Sequence, residues 1–361
     1  MLYTVPMDDS ILQLIERLMH VVGDQGASDL HLMEGRHPIV RYKRELIPLT
    51  TEQKLTHDVM VGILTIMIGE EKVLALTKDR IEADFSYHYH DLLRLRGNAF
   101  LASGKVGIAL RAIPKVKTLE ELNLPLILKD FTKKEQGFFL VVGPTGHGKS
   151  TTLAAMVDLI NTTSKKHIVT IENPVEFIFE DKLSIIDQRE LDVDTNSFPK
   201  ALRAAFREDI DVVLIGEMRD ADTISIAVTA AETGHLVFST LHTNDAIQTI
   251  DRIVDSFPGS EQQQIRNQLA ESLIGIFSMR LIPSLKGVLV PAYELLLAND
   301  AVANLIRDNR THEIATVLET SRDAGMITLN GSLVELVRNG DITMEDALHY
   351  SLDPQTLRRL I

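Results

Sequence analysis

The chain has no cysteine and no tryptophan in 361 residues. The first absence excludes disulfides and thiolate-held zinc or iron–sulfur centres, so no zinc is expected. A positive charge balance is lacking too: 51 acidic residues against 37 lysines and arginines leave a net charge of −14. Proteins that coat nucleic acid need basic surface to displace counterions from phosphates, which makes nucleic acid an unfavoured partner. Long apolar runs are also missing. The longest, VMVGILTIMIG at 59–69, is about half a membrane span and is closed by Glu70 and Glu71. The opening MLYTVPMDDS carries two acidic residues and no basic stretch, unlike a signal peptide. A cytoplasmic protein is the expectation. The 45% hydrophobic and 24% charged content is ordinary for a folded chain, and the length suits two or three domains.

Between Asp8 and His20, Ile11, Leu14, Ile15 and Leu18 fall at helical spacing. SDLHLME then alternates, and PIVRYKRELIPL reads as two short strands around a turn. Helical patches at 51–68 and 69–78 precede three strand-like segments, IEADFSYHY, LLRLRGNAFL and VGIALRAIP. An α+β N-terminal domain over 1–118 is expected, joined to the rest by KVKTLEELNLP. From Gly137 the chain alternates short buried strands with helices: FFLVV, HIVTI, LSIID, DVVLI and HLVFST, with STTLAAMVDLIN and SFPKALRAAF between them. That pattern predicts a βαβ core with a mostly parallel sheet in a second domain, 119–361. Its final part, 260–361, reads as mostly helical, interrupted by a strand pair around GVLVPAYELLLA.

Directly after FFLVV comes Gly143-Pro144-Thr145-Gly146-His147-Gly148-Lys149-Ser150, with Thr151 in the helix that follows. This is G-x-x-x-x-G-K-[ST] in the strand-to-helix context that a phosphate loop requires. Backbone N–H groups and the helix N-terminus would cradle the phosphates of ATP. Lys149 would reach the β and γ phosphates, and the Ser150 hydroxyl would ligate Mg²⁺. His147 occupies a position where such loops use backbone. Ligands of open α/β sheets bind beyond the carboxyl ends of the strands. Those ends here carry Glu172-Asn173-Pro174-Val175-Glu176, then Gly216-Glu217, then Leu241-His242. Two glutamates and a histidine converging on a phosphate loop suggest hydrolysis. His235 lies about 23 Å from His242 along an extended strand, too far to share one phosphate.

Together GPTGHGKSTTLAAM, IENPVEF, IGEMRDADT and AETGHLVFSTLHT resemble the type II/IV secretion ATPase superfamily, and within it the PilT-type motors that retract type IV pili for twitching motility. ASDLHL, RLRGNAF and LRAIP are similar to that family's N-terminal PAS-like domain. The resemblance implies an α/β fold, a PAS-like domain followed by a RecA-like P-loop ATPase domain with a helical C-terminal region. It matches Glu176 to the catalytic glutamate, which orients or deprotonates the attacking water. Glu217 matches the Walker B acid, holding metal or water, and His235 and His242 match the His box; His242, at the carboxyl end of its strand, would report the γ-phosphate. It also implies that some of Arg94, Arg96, Arg111, Arg203 and Arg207 act as fingers across a domain or subunit boundary. A homohexamer at the inner face of the cytoplasmic membrane is implied, with a pilus platform protein and a paralogous pilus ATPase as partners. The absence of cysteine favours the retraction branch over the zinc-bearing assembly branch. Two departures stand out: Asn173 replaces an aspartate of the Asp box, and Ala303 replaces an arginine of the C-terminal retraction signature, as in accessory paralogues. The alternatives are a DNA-translocating motor of the same superfamily and an accessory or scaffold subunit of the pilus machine.

Overall fold

The computed structural model describes residues 9–42, 45–79, 82–90 and 93–361. Expectations that fall on the first eight residues, on the turn at 43–44, on Ile81 and on Leu92 lie outside the described residues. The chain divides into two units, Met1–Lys115 and Val116–Ile361.

The first unit opens with α1 (Asp9–Gln25), whose Ile11, Ile15, Leu18 and Val22 form one buried stripe. Strands β1 (Asp29–Met33), β2 (Ile39–Tyr42) and β3 (Glu45–Pro48) follow. Then come α2 (His57–Ile68), capped by the Thr56 hydroxyl, and α3 (Glu70–Leu74). Strands β4 (Ala83–Tyr89), β5 (Leu93–Ala102) and β6 (Lys105–Ile113) complete an antiparallel six-stranded sheet in the order β3-β2-β1-β6-β5-β4. Leu30, Leu32, Leu95, Ala99, Ile108 and Leu110 bury the inner face in one core with Met60, Ile63 and Leu64 of α2. Because side chains alternate along a strand, Arg94, Arg96 and Arg111 share the other face, with Arg96 directly opposite Arg111.

The second unit begins with α4 (Leu128–Thr132) and alternates β7 (Gly137–Val142), α5 (Lys149–Thr163), β8 (His167–Glu172), β9 (Ile185–Glu190), α6 (Phe198–Ala205), β10 (Val212–Ile215), α7 (Ala221–Glu232) and β11 (Leu236–Leu241). Helices α8 (Ala246–Asp255) and α9 (Gln262–Ser272) lead into β12 (Leu273–Pro283) and β13 (Leu289–Leu297). The chain ends in α10 (Asp300–Arg307), α11 (Ile314–Thr320), α12 (Leu329–Arg338), α13 (Met344–Tyr350) and α14 (Pro354–Leu360). The sheet runs β13-β12-β7-β11-β10-β8-β9, parallel throughout except for the β12–β13 hairpin. Strands β7, β10 and β11 are buried along their whole length, because helices cover both faces. Among the described residues no helix is long and apolar enough to cross a membrane.

One expectation needs correction. LIGIFSMRLIP, read as part of a helical stretch, is the 11-residue strand β12, hydrogen-bonded in parallel to β7. It feeds Ile276 into one core and Phe277 and Met279 into another. A strand buried on both faces, and mostly apolar, shows too little alternation to separate it from a buried helix.

Candidate active site

Residues 143–148 turn from β7 into α5, and the geometry forces glycine at the first of them. Gly143 has φ 141°. A Cβ there would stand 2.3 Å from the main-chain oxygen of Met279 on β12. Lys149 is buried, and its Nζ donates to the carbonyls of Gly143 and Pro144 at 2.9 Å each. Burial pulls its ammonium below the ordinary lysine range, while Glu176 and Glu217 pull the other way.

The same Nζ lies 3.4 Å from His242 Nδ1. An ammonium can only donate, so Nδ1 accepts and Nε2 carries the ring proton. Nε2 faces Glu217 Oε2 at 3.5 Å, and Glu217 Oε1 takes an ion pair from Arg219 Nη2 at 2.5 Å. Thr145 Oγ1 stands 3.3 Å from His242 Nδ1. A polar chain therefore runs from the phosphate loop through His242 to Glu217 and Arg219. All of these, with Ser150, Thr151, Glu172 and Glu176, line one cavity of about 450 Å³.

Glu176 is exposed to that cavity, and among the described residues it forms no ion pair. Its loop is held from β9: the Glu190 carboxylate accepts from Val175 N at 3.0 Å. Gln188 bonds both Phe177 O and Phe179 N. Glu172 differs sharply. It is buried, accepts from the Thr170 hydroxyl at 2.6 Å and from Gln188 Nε2 at 3.3 Å, and burial pushes its carboxyl up. Gly216 explains the Gly-Glu pair after β10, because a Cβ there would come within 3.3 Å of the Glu172 α-carbon.

His147 has a task the motif does not announce. Its Nδ1 accepts the Leu281 N–H of β12 at 3.0 Å, tying the loop to the strand. Burial, then Arg280 and Lys149, hold this imidazole below its ordinary 6.5. The folded protein therefore resists a proton that the unfolded chain takes up. The bond's contribution is present above about 6.5 and fades as pH falls below it. His147→Ala should lower the melting temperature at pH 8, and the gap to wild type should narrow by pH 5.5. A gap independent of pH would show that the ring's protonation is irrelevant.

The structure does not bring every singled-out residue here. Helix α6 returns the chain to the amino edge of the sheet, where Arg207 follows it. That edge is marked by the Glu208 carbonyl on His167 Nδ1, at the start of β8, 3.1 Å away. His235 is there too, its ring packed on Phe206 at 5.0 Å and its Nδ1 on the Ala230 carbonyl. Arg207 does not line the cavity around the phosphate loop, and Arg203 pairs with Asp222 at 3.4 Å. Arg94, Arg96 and Arg111 remain on the outer face of the first unit's sheet, Arg111 paired with Asp29 at 2.9 Å. Sequence reasoning passed over Arg219, although it lies two residues beyond Glu217 in a segment already singled out.

The description of type II/IV secretion system proteins matches residues 6–324. The chain belongs to this family. Among similar secretion-family proteins is the type IV pilus retraction ATPase PilT of Pseudomonas aeruginosa, 42% identical over 94% of this chain and 99% of that one. The type IV pilus ATPase PilU of the same organism is 36% identical over 96% and 91%. The crystal structure of the pilus retraction motor PilT with bound ADP superposes with a TM-score of 0.87 at 43% identity, covering 97% of this chain and 99% of that one. The expected fold class holds: an α+β unit followed by a RecA-like ATPase domain with a helical end.

Proposed function

We propose that the chain is a Mg²⁺-dependent ATPase that works as a ring of six and drives retraction of type IV pili. The carrying observation is that Glu176, Glu217 and His242 meet the phosphate loop from three strand ends. The whole-length similarity to a protein titled a pilus retraction motor supports it.

In this reading the loop amides and the start of α5 hold the phosphates, and Lys149 neutralises the β and γ oxygens. Glu176 takes the proton from a water that attacks the γ phosphorus as the bond to the β–γ bridging oxygen breaks; ADP and phosphate leave. His242 reports whether the γ-phosphate is present. Among the described residues no cluster of three or more acidic or histidine side chains could hold a metal alone. That suits Mg²⁺, which keeps several waters and uses one or two protein donors beside the phosphates. Ser150 and Glu217 would be those donors. The ion would supply charge neutralisation on the phosphates.

The arginine-bearing face of the N-terminal, PAS-like domain (1–118) would complete a neighbour's site. Mixing Arg96→Ala subunits with Lys149→Ala subunits should then recover part of the ATPase activity that neither has alone. No recovery at any ratio would place that arginine in its own subunit. Partners would be a platform protein at the inner face of the cytoplasmic membrane and a paralogous pilus ATPase.

Deletion of the gene should leave surface pili and abolish twitching, and a wild-type copy, but not Lys149→Ala, should restore it. Normal motility together with DNA-stimulated ATPase would promote a DNA motor instead. Ala303, half-buried on α10, favours a second reading as an accessory motor. Under that reading Ala303→Arg should alter pulling more than ATP turnover.

A further inference from the structure

Strands β12 and β13 are apolar almost throughout, yet three polar side chains interrupt them on one face. Ser278 lies directly across from Glu294, and Arg280 across from Ala292. Ser278 is 3% exposed and Arg280 6%. Glu294 is half-buried, and desolvation pushes its carboxyl up to about 7, with Asp245 adding to the rise and Arg280 opposing it. Burying an arginine and a glutamate is costly unless each is fully engaged. Here all three engage one short segment, through Asn244 and Ala246. Ser278 Oγ donates to the Asn244 carbonyl at 2.9 Å, and Arg280 Nη2 donates to Asn244 Oδ1 at 3.3 Å. Glu294 Oε1 accepts from Ala246 N, the first residue of α8, at 2.9 Å.

Residues 244–246 begin two positions beyond His242. The trio also reaches the other way. Arg280 Nη1 donates to the carbonyl of Tyr350 at the end of α13, at 3.2 Å. The Leu329 amide, at the start of α12, also steadies the charge of the Glu294 carboxyl. On the same sheet face, Ile276 and Leu296 belong to the core around α7–α9, whereas Ile282 and Ala292 belong to the core under α12–α14. The polar trio stands on the seam between those two cores.

We propose that Ser278, Arg280 and Glu294 form a clamp that positions the segment after His242 and carries its nucleotide-dependent shift to the C-terminal helices α12 and α13. This rests on the ATPase reading above, with His242 as phosphate sensor. The three are positioning residues, since none lines the nucleotide cavity. Two hydrogen-bonding directions on Arg280 make it a joint, with Glu294 holding the start of α8 beside it: displacement of Asn244 must be passed to α13 or break a buried bond.

The test uses the full-length protein with ATP, ADP and a non-hydrolysable ATP analogue. Arg280→Lys keeps the charge but cannot span Asn244 and Tyr350 together; Ser278→Ala removes a single hydroxyl and is the variant least able to disturb folding. Each should keep ADP affinity within about threefold and lower kcat about tenfold, the scale of one lost buried hydrogen bond. Hydrogen exchange over residues 329–350 should change on analogue binding in wild type and not in the variants. A merely structural role would lower the melting temperature and leave that nucleotide response intact. Wild-type turnover with variants that retain both kcat and the exchange response overturns the clamp alone. Absence of nucleotide binding in the wild type would overturn the ATPase reading, and the clamp with it.

Discussion

Glu176→Gln is expected to leave ATP affinity within about threefold of wild type and to lower kcat by at least about 10²-fold, the usual scale for a positioned acid–base group. Glutamine keeps the shape but cannot take the proton of the attacking water. The substitution should not disturb the site, because Glu190 and Gln188 hold the loop through the backbone of Val175, Phe177 and Phe179 and never touch residue 176. Equilibrium nucleotide binding and steady-state turnover on the same preparation separate the two effects. Lys149→Ala gives the contrasting signature, since it removes the charge that meets the phosphates and should weaken binding itself. Near-normal turnover in Glu176→Gln would move the base to Glu217 or Glu172. Glu172 is the poorer candidate: it is buried and occupied by Thr170 and Gln188.

Gly143→Ala should be the most damaging single-methyl change in the chain. The new Cβ would meet a main-chain oxygen, which cannot rotate away as a side chain could, and φ 141° is itself hostile to an L-residue. Either the phosphate loop or β12 must move. The expected result is a melting temperature lower by about 5–10 °C, corresponding to roughly 3 kcal/mol, together with loss of measurable nucleotide binding. A variant that folds normally and binds ATP as wild type would show that loop and strand separate easily. That would also remove the importance given to the His147–Leu281 bond.

The residues that line the candidate site were largely legible in the sequence, for a physical reason. In a parallel sheet, every strand's carboxyl end opens on the same edge, so a side chain just past a buried run is aimed before any coordinates exist. Glu176, Glu217 and His242 could be placed that way. What holds them could not. Gln188 and Glu190 act from β9, whose pairing with β8 is a matter of register between distant segments. Strand β12 was hidden because it is mostly apolar and buried on both faces. The same concealment kept Ser278, Arg280 and Glu294 from being read as a group, since only the hairpin register brings them together. Arg219 was in plain view, but an arginine after an acidic residue is ordinarily a solvated surface pair. In the first unit the stripe of α1 and the alternation of β5 were readable, because both patterns are local. Whether the outer-face arginines serve a neighbouring copy would be a property of an assembly, which no local sequence pattern encodes.

Gly216 has a wider consequence. With only hydrogen on its α-carbon, main chain rests on main chain where β8 and β10 end, and its N–H bonds the Ile171 carbonyl at 2.8 Å. The spacing of the two strand ends bearing Glu172 and Glu217 is thus gauged by the backbone, as by a machinist's jig, and no choice of rotamer can widen it. Replacing either glutamate alters charge without resetting the gauge. Any side chain at 216 would press on the Glu172 α-carbon at 3.3 Å, so the two strand ends would have to part by a few tenths of an ångström to admit it.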